Sequence, residues 1–154
     1  MKERGETELL IIGVTSPIIA AVYTDGRLVE TLVEEGKSSE VLPPLLQKIV
    51  SNRKLAAIYY ANGPGSFMAI KVTYVMARSL SIALDIPLYG TDAFAFNANR
   101  PIKAVGKSCF VKENGEISIR AECPDVSSCF VPPKRLDRSI FSRECEPLYI
   151  LPAV

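Results

Sequence analysis

Histidine is absent from this 154-residue chain. Its absence removes Ser-His and Cys-His nucleophile systems and the commonest general base. It also leaves the four cysteines without an imidazole to complete a zinc site. Cys109, Cys123, Cys129 and Cys145 fall in the last third with no C-x-x-C spacing, so structural or reduced thiols are expected and no metal. An excess of one charge is lacking too. Eighteen basic against seventeen acidic residues leave a net charge of +1, so no global field draws the chain to nucleic acid or to a membrane surface. Any RNA contact must be local or borrowed from a partner. Nor is there a long apolar run at the start, because LLIIGV after the charged MKERGETE is too short for a membrane span or a signal core. A cytoplasmic protein with no membrane contact is expected. No internal repeat or low-complexity tract interrupts the chain.

What is present suits a packed domain: 48% hydrophobic and 23% charged residues can fill a real core. Glu8 to Val14 reads as a buried strand. Ile18 to Thr24 and Arg27 to Glu34 read as two more, joined by the hairpin signal Asp25-Gly26. Ser38-Ser39-Glu40 offers helix-capping side chains, and Val41, Leu42, Leu45, Leu46, Ile49 and Val50 then recur at helical spacing. Pro43 and Pro44 suit that helix only where it is beginning. Leu55 to Tyr60 is a strand, Phe67 to Leu84 a second helix ending before Pro87, and Pro87 to Gly90 a short strand. Thr91-Asp92 can cap a brief helix through Asn97. This order is that of the ribonuclease-H-like unit from which actin-like ATPase folds are built, and it predicts an α/β mixed sheet flanked by helices. Lys103 to Lys112 and Glu116 to Glu122 flank a second hairpin signal, Asn114-Gly115. From Pro124 to Glu146 periodicity fades into loop before the apolar PLYILPAV. An N-terminal domain over 1–100 and a reduced second lobe over 101–154 follow.

Between strand and second helix stands Ala61-Asn62-Gly63-Pro64-Gly65-Ser66-Phe67. A glycine turn at a helix start can hold anions. Here no Gly-Lys-Ser/Thr follows, and Met68 stands where a dinucleotide loop needs glycine. Gly63, Pro64, Gly65 and Ser66 therefore read as a structural turn, with Ser66 capping the helix. Metal-assisted phosphoryl transfer would want an acid near the end of the first strand, and Val14 occupies that place. No catalytic residue and no cofactor are assigned.

Steps of 100° place Ala69, Val72, Met76, Leu80 and Ala83 on the face of the second helix expected to cover the sheet. The opposite face holds Phe67, Ile70 and Tyr74, with Lys71, Arg78 and Ser81 among them. Aromatics beside arginine are what protein interfaces favour, so a partner contact is expected there. The chain's own C-terminal segment is the alternative cover.

GPGSF followed by a small-residue helix and ALDIPLYGTDAF resembles the TsaB (YeaZ) family, with its GPGSFTGLRIG and later A-L-G-I-P-L-x-G. Val14-Thr15-Ser16 stands where that family has Asp-Thr-Ser, and Ser38-Ser39-Glu40-Val41-Leu42-Pro43-Pro44 resembles its His-Ser-Glu-x-Leu-Leu-Pro. Glu146-Pro147-Leu148-Tyr149 resembles its closing Glu-Pro-Val-Tyr. The likeness covers residues 8 to about 100 well and the tail weakly. It implies a non-catalytic partner of TsaD, the subunit that transfers threonylcarbamoyl to adenine of tRNA, in an assembly that recruits the ATPase TsaE. It also implies a homodimer through the same helices in isolation, with tRNA contacted only indirectly. Missing aspartate at 14, histidine at 38 and glycine at 69 argue against nucleotide or metal chemistry. A glycoprotease-like or kinase-like hydrolase of the same fold is one competing expectation, and a direct tRNA-binding module is another, for which only Lys134, Arg135, Arg138 and Arg143 cluster, a grouping that a solvated loop explains as well.

Overall fold

The computed structural model describes residues 6–123 and 129–150. Within them the chain runs β1 (Thr7–Ile12), β2 (Ile18–Thr24), β3 (Arg27–Glu34), α1 (Ser38–Val50), β4 (Leu55–Ala61), α2 (Phe67–Leu84) and β5 (Leu88–Thr91). A 3-10 turn (Ala93–Phe96) follows, then β6 (Ile102–Lys103), β7 (Cys109–Glu113), β8 (Glu116–Arg120) and a second 3-10 turn (Arg138–Ile140). The first five strands form one sheet in the order β3-β2-β1-β4-β5. β1, β4 and β5 are parallel, and β2 and β3 are antiparallel additions. This is the mixed α/β sheet that the element order predicts, and β6–β8 make a separate three-stranded sheet.

Alternation sorts the strands' side chains onto two faces. Leu9, Ile11, Ile18, Ala20, Val22, Ile58 and Tyr60 face α1 and α2. Leu10, Ile12, Ala21, Tyr23 and Tyr59 face Phe94, Phe96, Ile102, Phe110, Phe130 and Leu136. β1 and β2 are buried almost throughout, as expected for strands covered on both sides. Both hairpin signals act as read: Asp25 and Gly26 take φ of 52° and 78°, Asn114 and Gly115 of 52° and 79°, the left-handed pair a tight hairpin requires.

The helices depart in detail. α1 starts at Ser38 with Lys37 at its N-cap and no side-chain cap bond, so the expected serine capping is not used. Pro43 and Pro44 lie inside the helix. Their missing N–H groups are offset by burial of Leu42, Leu45, Leu46 and Ile49 against the sheet. Cys109 and Cys123 form a disulfide, while Cys129 is a free exposed thiol and Cys145 a free buried one. Part of the loop expected from Pro124 lies outside the described residues.

Residues 130–149 form a strap along the first sheet. Leu28 and Gly26 at the β3 edge exchange backbone bonds with Lys134 and Leu136 at 2.9 and 2.8 Å. The strap then crosses one sheet face and reaches the opposite edge, where Gly90 of β5 and Ser142 exchange two bonds of 2.9 Å. Beyond that edge it passes to the helix side. Three tyrosines hold it: Tyr23 donates to the Pro133 carbonyl at 2.7 Å, Tyr60 donates to the Cys145 carbonyl, and Tyr59 donates to Glu8 at 2.6 Å, which also receives Arg138.

Candidate partner-docking helices

The GPGS turn is closed by its own chain. The Ser66 N–H donates to the Val14 carbonyl at 2.8 Å, and Ser66 Oγ accepts the Ala69 N–H at 3.4 Å as the cap of α2. A side chain at Gly65 would meet the Val14 carbonyl at 2.5 Å, and one at Gly63, where φ is 130°, the Leu148 carbonyl at 2.5 Å. Backbone packs where an anion would have to enter, so the glycines serve close approach. Pro64 follows a cis peptide bond.

Beside this turn lies a cleft of about 660 Å³ against the second sheet. Thr15, Ser16, Ser66, Lys103 and Ser108 supply its polar groups, with Phe67, Phe110, Ile119 and Ile150 among its apolar walls. Among the described residues that line it there is no Asp or Glu side chain. Among the described residues no three His, Cys, Asp or Glu side chains gather as a metal site.

The phase of α2 differs from the sequence expectation. The buried stripe is Ile70, Thr73, Ala77 and Ser81, about a quarter turn from Ala69, Val72, Met76, Leu80 and Ala83. Small side chains there let the helix lie close to the sheet: Thr73 Oγ1 donates to the Gly13 carbonyl at 3.4 Å, and a side chain at Gly13 would strike it at 2.6 Å. Met76, Leu80 and Ala83 turn instead toward α1, and with Pro43, Leu46 and Val50 they line a groove of about 500 Å³ between the helices.

The five residues expected at a partner interface therefore separate. Ile70 is 1% exposed, a correction: it plugs the core beneath the turn. Tyr74 and Arg78 are half-buried under the chain's own strap. The Tyr74 hydroxyl donates to Glu146 at 3.4 Å, the Arg78 guanidinium lies 5.6 Å from the Tyr74 ring centre, and it donates to Cys145 Sγ at 3.8 Å. Phe67 stays exposed although its ring stacks on Tyr149 at 4.5 Å, and Lys71 is free in solvent. Burial pushes the Cys145 thiol up, and the nearby Arg78 charge only partly opposes it, so this cysteine stays protonated and inert.

What α2 leaves uncovered is a different stripe. Met68, Val75 and Ile82, spaced by seven, are exposed, with Ile82 at 72%, and Lys71 and Ser79 lie among them. By length and composition this helix could cross a bilayer. Its contacts with α1, β4 and β5 make it a face of the fold. Sequence periodicity found this helix to the residue and misplaced its stripe; the polar Thr73 and Ser81 at core spacing were the missed signal.

Comparison with known proteins matches the same region. A family model for TsaD, tRNA N6-adenosine threonylcarbamoyltransferase, aligns with residues 35–107, which hold α1, β4, α2 and β5. The tRNA threonylcarbamoyladenosine biosynthesis protein TsaB of Buchnera aphidicola subsp. Schizaphis graminum is 28% identical over 87 residues, 52% of this chain and 41% of that protein. Its counterpart in the subspecies Acyrthosiphon pisum is 28% identical over 90 residues, 54% of this chain and 40% of that protein. The alignments thus span about two-fifths of the length of these curated relatives. YeaZ from Pseudomonas aeruginosa superposes with a TM-score of 0.57 at 20% identity, over 86% of this chain and 70% of that one, a likeness of fold.

Proposed function

We propose that this chain, which is similar to curated proteins named TsaB, is an accessory subunit of the TsaB/YeaZ kind in tRNA N6-threonylcarbamoyladenosine biosynthesis. It works in the cytoplasm without catalytic residues, docking through α1 and α2 on a TsaD-like catalytic subunit in an assembly served by a TsaE-like ATPase. The observation that carries this is the uncovered apolar stripe Met68, Val75 and Ile82 beside the groove between the helices. A helix apolar on its outward face calls for a second burial partner. That the TsaD family model aligns with this same unit supports a partner built alike, because two equivalent helix pairs can pack face to face as a pseudo-symmetric interface. Phe67 and Lys71 belong to its rim, with Tyr74 and Arg78 supporting from beneath the strap. The same face serves a homodimer when the partner is absent, at a standard interface size of about 1,600 Å².

Omission from a reconstituted modification reaction, with TsaD-like and TsaE-like proteins and the threonylcarbamoyl donor of the same organism, tests the reading. The expected result is loss of tRNA modification when the chain is left out, and no modification by the chain alone. Full modification without it would sink the proposal. The hydrolase alternative predicts micromolar ATP binding with magnesium in calorimetry of the isolated chain. Our reading expects none at that level.

A further inference from the structure

Arg27 at the start of β3 and Arg135 in the strap form an isolated antiparallel bridge. The flanking bonds run from the Leu28 N–H to the Lys134 carbonyl and from the Leu136 N–H to the Gly26 carbonyl. The two arginines are therefore a non-hydrogen-bonded pair, the arrangement in which opposed side chains come closest. Their Cβ atoms project to one side, about 4.5–5.5 Å apart. Both are exposed, as is the adjacent Lys134.

Like charges placed directly opposite destabilise a strand pair, yet none of the three takes part in the ion pairs found among the described residues. Neighbouring carboxylates are engaged elsewhere. Asp25 accepts the Glu6 N–H at 3.1 Å, Asp137 accepts the Ser139 N–H at 3.0 Å, Glu8 holds Arg138, and Glu30 holds Arg53 at 2.7 Å. A pair of cations outside the ion pairs found among the described residues is thus held on a strand edge.

We propose that Arg27 and Arg135, with Lys134, grip a phosphate of the tRNA backbone, an inference that rests on the function proposed above. Adjacent guanidinium groups present a fork of N–H donors that matches phosphate oxygens. A contact of this kind positions the RNA and reads no base. RNA is favoured over a lipid surface because membrane attachment takes a cluster of about 4–8 cations, more than this edge provides.

The test uses the full chain and an unmodified tRNA transcript, followed by fluorescence anisotropy across a salt series. The variant R27Q/R135Q should raise the dissociation constant about fivefold or more and make the log–log salt slope shallower by about two, as loss of two phosphate contacts requires. The control K37Q/K107Q removes the same charge from exposed sites elsewhere and should stay within about twofold. Single R27Q lies outside the strap and should show a partial loss, which separates phosphate contact from loosening of the strap. Equal weakening by both double variants, or no effect of R27Q/R135Q, overturns the proposal. So does an R27Q/R135Q-sensitive attachment to phosphatidylserine vesicles without tRNA binding. If the site fails while omission of the chain still abolishes modification, the function stands without it. If binding behaves as expected while modification proceeds without the chain, the function fails and the RNA contact stands.

Discussion

Glu8 is the single buried charged side chain among the described residues, 2% exposed on β1. It accepts from the Tyr59 hydroxyl at 2.6 Å and from both Nε and Nη2 of Arg138. A carboxylate removed from water needs such partners. Deleting one leaves it uncompensated, so Arg138→Ala should destabilise by about 2–3 kcal/mol, below the range for a fully buried pair because the arginine is half exposed. For a chain of this size that lowers Tm by roughly 4–12 °C. Glu8→Gln added to Arg138→Ala should recover part of the loss, read by thermal melts in a double-mutant cycle. Equal Tm in wild type and Arg138→Ala would show the contact to be energetically idle. Nothing in the sequence marked this group. Glu8 reads as the polar end of an apolar strand, and its partner lies 130 residues away.

The two helices show which properties of an element its residues dictate. Length and start of α2 follow from local chemistry: Ser66 caps it, Asp85 ends it in the left-handed conformation, and neither proline nor glycine lies between. Its phase does not follow, because several stripes are apolar and hydropathy cannot choose among them. Close approach decides, and Thr73, Ala77 and Ser81 face the sheet since larger side chains would hold the helix away. The uncovered stripe then carries the interface. Val75→Glu with Ile82→Glu should weaken binding to a TsaD-like subunit by more than tenfold, about 1.4 kcal/mol or more, while circular dichroism stays unchanged. Tyr74→Ala with Arg78→Glu should instead lower Tm, because it removes the floor beneath residues 145–149. Sedimentation and melting of both variants separate the two outcomes. Loss of partner binding in the second pair alone, with Tm unchanged, would return the interface to the stripe under the strap.

Across the whole molecule, the element order and the mixed sheet could be read from hydrophobic periods and two hairpin signals. The strap could not, since residues 129–150 carry no period and contact the sheet through backbone bonds and single side chains. Its anchoring has a consequence at high pH. Burial raises the phenols of Tyr23, Tyr59 and Tyr60 above their ordinary value of 10.0. The folded chain keeps those protons where the unfolded chain releases them, so full stability holds below pH 10 and declines as pH rises past it. Melts from about pH 8 to 11 should show Tm falling above about 10, with tyrosinate absorbance rising together with unfolding. Absorbance that rises while the fold persists would contradict burial of these hydroxyls. The Cys109–Cys123 bond closes a loop of sequence separation 14. Reduction should cost about 2–4 kcal/mol, and the reduced protein should melt correspondingly lower than the oxidised one.

Because the strap ties Gly26, Glu8 and Gly90 to Leu136, Arg138 and Ser142, each of the sheet's two margins is bridged at one point by residues translated long after the strands themselves. While the nascent chain ends before them, β3 and β5 emerge from the ribosome with open edges of the kind that recruit foreign strands. Helices α1 and α2 can already cover their face at that stage. Until the strap arrives, neither of those two edge bridges can form.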